Sequence, residues 1–354
     1  MSKIPAGFKP RLSFPDYNIR LSDFKGHHQK ALNKMTQIAP QLDLIFEVRD
    51  ARAPISSRNV LLDRPFAGKK KVILYSKKDL STVDTTLLRK WHGDEPFMFV
   101  DCRSKRDARV LVELAKQQFY QMTPSPPLGL RMLVAGMPNV GKSTLVNTLR
   151  TVGLSTNKKV AKTGGQPGVT RATSSIIKIH EEPDVLLYDT PGVFLPKVNH
   201  STTMIVMSLI GAVKPTVVDP VIQADYLLYM INLQNWKLYS KYLNHPTNDV
   251  GELLEGVSKH IGKFHRKTGD FDEVGTAIHW VDTFKQGKGG RVSFELDAVL
   301  GGGKNFDFRR ALEAEKQRIA EMDIALNREK EKRPLTHKEY VANNANQLFK
   351  DDLS

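Results

Sequence analysis

From Gln41 to about residue 190 the chain alternates short apolar runs with longer mixed stretches. The runs are Leu42–Val48, Lys71–Tyr75, Phe97–Asp101, Arg131–Gly136, Ser174–Ile179 and Val185–Asp189, each of strand length. Between them lie stretches of helical or loop character, among them Lys105–Gln121, which predicts a helix. Strands alternating with helices predict an α/β domain on a mainly parallel sheet with helices on both faces. Pro124, Pro126 and Pro127 in Met122–Gly129 cannot continue the preceding helix, so this segment reads as a connector inside one domain. After about Thr202 the apolar spacing becomes helical, with a break at Thr216–Pro220, and predicts a smaller α-helical domain. The expected organisation is a basic arm over 1–35, the α/β domain over 36–203 with its Pro-rich connector at 122–130, a helical domain over 204–300, and a charged helical tail over 301–354.

A chain of 354 residues with 40% apolar and 26% charged residues has the composition of a folded protein of about two domains. Cys102 is the single cysteine, so no disulfide within the chain and no spaced Cys/His zinc set is available, and a reducing compartment fits. No run of about 18 apolar residues predicts a membrane span. The net charge of +15 is unevenly spread: 23 basic against 13 acidic residues over 1–130 and 9 against 4 over 131–203, but 10 against 11 over 204–300 and 11 against 10 over 301–354. The excess points to a polyanionic partner, and the mixed-sign tail reads as a solvated helix. Lys3, Lys9, Arg11, Arg20, Lys25 and Lys30 give residues 1–35 the bias of a mitochondrial targeting segment, although Pro5, Pro10 and Pro15 interrupt an amphipathic helix there; an ordinary basic arm is the competing reading.

Three motifs carry chemistry. Gly136-Met137-Pro138-Asn139-Val140-Gly141-Lys142-Ser143 follows a predicted strand and opens a helix, as a phosphate loop does. Its backbone N–H groups, including those of Asn139, Val140, Gly141 and Thr144, can surround phosphates, Lys142 can neutralise their charge, and the Ser143 hydroxyl can ligate Mg²⁺. A chance match in a chain of this length is on the order of one in a hundred at about 7% glycine. Asp189-Thr190-Pro191-Gly192 closes another apolar run, which places Asp189 to hold the magnesium shell and the Gly192 N–H to approach a γ-phosphate. Ser76-Lys77-Lys78-Asp79 has the form of a guanine-reading tetrapeptide with Ser76 in place of the usual Asn. Asp79 would pair with the guanine N1–H and N2–H₂ while the Lys77 stem covers the base, and such pairing rejects adenine. Asp101 and Cys102, at the end of the next run, complete the nucleotide-binding candidates.

The tetrapeptide lies about sixty residues before the phosphate loop, the reverse of the usual order. That order resembles the circularly permuted GTPases of the YlqF/RbgA type. Asp50-Ala51-Arg52-Ala53-Pro54-Ile55-Ser56-Ser57-Arg58-Asn59 is similar to that family's hallmark, Gly26-His27-His28-Gln29-Lys30-Ala31 to its N-terminal signature, and Phe284–Arg291 to its C-terminal Gly-Lys-x-Gly-Arg element. The likeness spans about Phe14 to Glu295 and is nearest to the mitochondrial ribosome-associated members.

The resemblance implies a GTP-hydrolysing assembly factor of the large mitochondrial ribosomal subunit that leaves on hydrolysis. Its implied ligands are GTP, GDP and Mg²⁺, with K⁺ as a further candidate. Its implied partners are rRNA and ribosomal proteins, its place is the matrix or the inner-membrane surface as a peripheral protein, and a monomer is expected. Thr170 resembles the switch threonine that reaches Mg²⁺ and the γ-phosphate, so Thr170, Gly192 and Lys142 are the catalytic candidates; Asn139 resembles a potassium-holding asparagine. Val193 stands where a Ras-like enzyme has its water-orienting glutamine, and it cannot serve that role, which predicts slow intrinsic hydrolysis completed on the ribosome. His27 or His28 is a candidate supplier of the missing group. Basic residues around Lys259–Lys267, with Lys285, Lys288, Arg291 and the aromatic Phe264 and Phe284, suggest an rRNA-facing surface. The competing function is a nucleotide-stabilised ribosome-binding checkpoint with vestigial hydrolysis; an ATPase is a weaker third.

Overall fold

The computed structural model describes residues 5, 7–23, 26–155, 176–195, 197–262, 271–299 and 307–332. Its centre is a six-stranded sheet of β1 (Leu44–Asp50), β2 (Lys70–Ser76), β3 (Phe97–Val100), β4 (Leu130–Gly136), β5 (Ile176–Glu181) and β6 (Asp184–Asp189). The order across the sheet is β3-β2-β1-β4-β6-β5. Every neighbouring pair is parallel except β5 with β6, which forms an antiparallel edge. Central β1 is buried along its whole length, whereas edge strand β5 alternates exposed and buried positions, as one-sided cover requires.

The helices start and stop where local chemistry dictates. Helix α1 (Gly26–Ile38) lies on one sheet face, where Ala31, Met35 and Ile38 pack with Ile45, Leu133 and Ala135. Helix α2 (Thr85–His92) is capped by Asp84. Helix α3 (Lys105–Gln121) coincides with the sequence expectation. Ser104 accepts from the Asp107 N–H at its start, and Ala108, Leu111, Val112 and Ala115 form its buried stripe. Helix α4 (Lys142–Gly153) continues from the phosphate loop and packs beside α3.

The helical region begins with α5 (Ser201–Leu209) and centres on α6 (Pro220–Gln234). Asp219 caps α6 and Pro220 occupies its first turn, while residues from Gln223 to Asn232 are buried on all sides, the pattern of an enclosed helix. Helices α7 (Val250–Ile261), α8 (Glu273–Lys285) and the short α9 (Leu296–Val299) complete it, α6 packing on both α7 and α8. Among the described residues no helix is long and apolar enough to cross a membrane.

The basic N-terminal arm is docked on the helical region. Arg11 donates Nη1 and Nη2 to the Asp225 carboxylate at 3.1 and 2.5 Å and lies over the Phe14 and Tyr229 rings. Phe14 meets Tyr226 edge-on at 4.9 Å, and the Val198 N–H donates to Leu21 O at 2.9 Å. Charges that give this segment a targeting-like composition therefore include one consumed by an internal ion pair.

Residues 1–306 form one compact unit and 307–354 a second. The second is described over helix α10 (Phe308–Lys332), on which Lys316 pairs with Glu313 and Arg318 with Glu315. These i,i+3 pairs suit a charged helix of mixed sign.

Candidate nucleotide site

Because β2, β1, β4 and β6 run parallel, their C-terminal ends open on one edge of the sheet, where α/β proteins bind ligands. Ser76, Asp50, Gly136 and Asp189 end these four strands, so the tetrapeptide, the phosphate loop and the Asp-Thr-Pro-Gly segment arrive together although they are far apart in sequence.

The phosphate loop turns through positive φ at Asn139 (59°) and Gly141 (107°), the latter serving as N-cap of α4. At Gly136 (φ 142°) a Cβ would strike the Val48 carbonyl oxygen, so glycine is required by the close passage of β1. Lys142 is buried and donates to Met137 O at 2.6 Å. Burial pushes its ammonium down to about 8, against the opposing pull of Asp189. Asp189 is buried too, and burial raises its carboxyl, with Lys142 opposing. Its Oδ1 is buried and has no hydrogen-bond partner among the described residues. Thr190 is tied back to β4 through Val134 O at 3.0 Å.

These residues fit a nucleoside triphosphate with Mg²⁺. A helix N-terminus and a buried ammonium form the anion cradle, and an orphaned buried carboxylate oxygen offers a hard donor beside it. Asp189 and Ser143 are the residues that would hold the cation, which screens phosphate charge when bound. Gly192 completes the cradle: a Cβ there would come within 2.6 Å of Pro138 N and 2.9 Å of Lys142 Nζ. Thr170, the third expected magnesium contact, lies outside the described residues.

On the base side, Ser76 Oγ reaches Val140 O at 2.6 Å and lies 3.1 Å from Arg49 O. Ser76, standing in place of the usual Asn, thus contacts the phosphate loop through a shorter side chain. Lys77 sits at φ 57° and donates Nζ to Asn139 O at 2.9 Å and to Asp50 Oδ2 at 2.8 Å. Asp79 is exposed at the mouth, available to a base. Cys102 is buried, burial pushing its thiol up to about 12, and a Cβ at Gly141 would lie 3.0 Å from its Sγ. Its carbonyl accepts from Thr148 Oγ1 of α4 at 2.7 Å, while Asp101 is exposed beside it. Asn139 donates Nδ2 to Gly211 O at 2.7 Å, joining the phosphate loop to the end of α5. A monovalent cation at Asn139 would therefore have to use Oδ1.

Val193 does not face this site. Its side chain is fully buried in the cluster under α1, with Ala31, Met35, Leu133 and Ala135. Its N–H donates to Gly136 O at 3.3 Å, and Asn59 Nδ2 donates to its carbonyl at 2.7 Å. Buried His28 places Nδ1 3.1 Å from Gly192 O and 3.4 Å from Phe194 N, with the His27 ring tilted against it at 4.0 Å between ring centroids. One ring nitrogen cannot donate and accept together, so the neutral tautomer decides which contact forms.

Of the expected rRNA-facing group, Phe284 is buried against Trp280 and Arg291 donates Nε and Nη2 to Ser81 O. Lys285 donates to Gln223 Oε1 at 3.3 Å, which leaves Lys288 as the exposed lysine of this element. Lys263, Phe264, His265, Arg266 and Lys267 lie outside the described residues. The sequence reading did not single out Asp50, Arg52 and Asn59 as individuals. A charged residue closing a central parallel strand, as Asp50 does, was the available signal.

The sheet, phosphate loop and magnesium-side carboxylate define a P-loop nucleotide-binding domain. A family model described as 50S ribosome-binding GTPase matches residues 131–261. The chain is 40% identical to Mitochondrial GTPase 1 of Saccharomyces cerevisiae, over 83% of this chain and 86% of that protein. It is 32% identical to Mitochondrial GTPase 1 of Schizosaccharomyces pombe (82% and 94% covered) and 31% identical to Mitochondrial ribosome-associated GTPase 1 of Xenopus tropicalis (77% and 93%). The chain belongs to this family of mitochondrial GTPases.

Proposed function

We propose that this GTPase works in mitochondria as an assembly factor of the large ribosomal subunit: it docks on the immature particle with GTP bound and leaves after hydrolysis. The observation that carries the GTP-dependent step is the buried pair Lys142 and Asp189, with its orphaned carboxylate oxygen, set against Gly192 at the head of the chain leading to the helical region. The relatives' names, and the ribosome-binding description of the matching family model, support the partner. That model begins at residue 131, after the guanine-reading tetrapeptide, and this supports a circularly permuted domain.

In this reading Gly136–Thr144 holds the phosphates, and Ser143, Asp189 and Thr170 hold Mg²⁺. Ser76, Lys77, Asp79, Asp101 and Cys102 surround the base, and K⁺ at Asn139 assists hydrolysis. The protein acts as a monomer in the matrix or on the inner-membrane surface. Domain limits follow function, with 36–203 the nucleotide domain and 204–300 the ribosome-facing one. The inward aim of Val193 favours a water-orienting group completed on the ribosome, so that intrinsic turnover is slow.

The test is co-sedimentation of the full chain with large-subunit precursors under GDP, GTP and a non-hydrolysable GTP analogue, paired with hydrolysis rates with and without those particles in K⁺ and in Na⁺. Retention with the analogue, loss with GDP and particle-stimulated turnover are expected. Nucleotide-independent binding, or fast unstimulated hydrolysis in both salts, sinks the reading. An Asp189→Asn variant that still releases and matures subunits would leave the checkpoint alternative standing.

A further inference from the structure

The end of β1 carries a carboxylate that neither the phosphate chemistry nor the base pairing uses. Asp50 is fully buried and pairs in register with Ser76, so it lies beside the strand that delivers the guanine-reading tetrapeptide. Four donors converge on it. Arg52 gives its backbone N–H and Nε to Oδ1 at 2.9 and 3.0 Å and Nη2 to Oδ2 at 2.9 Å, and Lys77 Nζ reaches Oδ2 at 2.8 Å. Burial alone would raise the Asp50 carboxyl, but Arg52 and then Lys77 hold it well below the usual carboxylate range. It is an anion held among two cations in the interior.

Lys77 needs such an anchor. Its backbone lies in the left-handed region, at φ 57°, which costs energy for a residue with a long side chain and persists only where contacts over-determine it. Burial lowers its ammonium, with Asp50 as the main opposing influence. The ammonium is pinned from two sides, by Asp50 on β1 and by Asn139 O in the phosphate loop. A second strut ties the backbones, since the Ala51 N–H donates to Ser76 O at 2.9 Å. Arg52 in turn lies 5.2 Å from the Phe294 ring centre and donates to Lys285 O at 3.4 Å, while the Phe294 N–H donates to Arg52 O at 2.8 Å. The same C-terminal segment clamps the loop after the tetrapeptide: Val292 N–H donates to Leu80 O and Arg291 to Ser81 O.

We propose that Asp50 is a positioning residue for guanine-nucleotide binding: it fixes the Lys77 ammonium so that the lysine stem stands as the platform for the base, with Arg52 bracing it from the helical region. This rests on the reading of Ser76–Asp79 as the base site. A buried carboxylate suits the task because it fixes an ammonium by charge-assisted hydrogen bonds that a neutral amide matches poorly. Removing it leaves Lys77 and Arg52 facing each other without a counter-charge.

The experiment measures affinity and dissociation of a fluorescent GDP analogue on the full chain for wild type, Asp50→Asn, Lys77→Met and the Asp50→Asn/Lys77→Met pair, with thermal melts alongside. Asp50→Asn is expected to weaken GDP by about tenfold or more, equivalent to about 1.4 kcal/mol. The pair should bind no worse than Lys77→Met alone, because Asp50 acts through Lys77. An Asp50→Asn affinity equal to wild type, or losses that multiply in the pair as for independent sites, overturns the proposal. A purely structural role would lower the melting temperature without that cancellation. Should Asp50→Asn fail to fold, Asp50→Asn/Arg52→Met keeps the net charge of the cluster and must show the same loss of GDP affinity. Asp79→Asn separates the two ideas. If it leaves GDP binding and its preference over ADP intact, the base-site reading fails; if it weakens both while Asp50→Asn does nothing, the positioning role alone fails.

Discussion

Replacing Val193 by glutamine should not turn this enzyme into a Ras-like one. The position follows Gly192 directly, and by sequence alone a glutamine there would reach the attacking water. The fold aims the side chain the other way, into the cluster beneath α1, with no surface exposed. Its direction is fixed on both sides of the Cα, by the N–H bonded to Gly136 O and the carbonyl bonded to Asn59. Val193→Gln therefore forfeits a buried valine, worth about 1.5–3 kcal/mol. It also buries an amide among apolar neighbours, at about 1–3 kcal/mol more. A loss of about 2.5–6 kcal/mol is a large part of a typical stability of about 5–15 kcal/mol. At about 2 °C per kcal/mol for a chain of this size, melting should fall by about 5–12 °C. The assay is a thermal melt with single-turnover GTP hydrolysis below the melting range. A variant that melts like wild type and hydrolyses GTP faster would refute the orientation and the argument built on it.

Three further outcomes follow from particular contacts. The Lys142 ammonium sits at about 8 in the folded protein against 10.5 for an ordinary lysine. Below about pH 8 both folded and unfolded states hold the proton; above it the folded state gives it up first, so this lysine makes nucleotide-free stability rise with pH up to about 10.5. Phosphate needs the charged form, so GDP affinity should be flat below about pH 8 and fall toward tenfold per pH unit above it, a slope that Lys142→Met should abolish in titrations between about pH 7 and pH 9. Gly192→Ala places a Cβ against Pro138 backbone and Lys142 Nζ and should slow GTP hydrolysis at least about tenfold, with the fold retained by circular dichroism. Arg11→Ala strands the buried Asp225 and should cost about 1–3 kcal/mol in a denaturant melt, whereas Lys9→Ala at an exposed position should be close to neutral.

Much of the architecture is legible because it is local. All six strands follow from apolar runs bounded by turn residues, and α3 follows from a Ser-x-x-Asp start and a proline-bounded end, signals carried within a few residues. The phosphate loop reads from sequence for the same reason, its Gly141 answering to a positive backbone angle at the start of α4, although the contacts of Gly136 with Val48 and of Gly141 with Cys102 are made only in the fold. Side-chain direction after a turn is not local in this sense. Val193 looks like a defective catalytic position until β4 and Asn59 fix its backbone, and Phe284 looks like part of an rRNA-facing surface until it packs against Trp280.

The order of amino acids alone establishes the class of chemistry, through the spacing and type of residues that phosphate, magnesium and guanine demand. It also establishes the alternation of strands and helices, which is written in hydrophobic period. The folded arrangement settles which charges are used up internally and which face a ligand. Arg11, Arg52 and Arg291 look alike in composition, yet Asp225, Asp50 and the Ser81 carbonyl claim them. It settles as well that Asp50, twenty-seven residues from Lys77, is its partner. Such pairings depend on which strands lie side by side, and parallel neighbours are set by crossover topology that no short window of sequence contains.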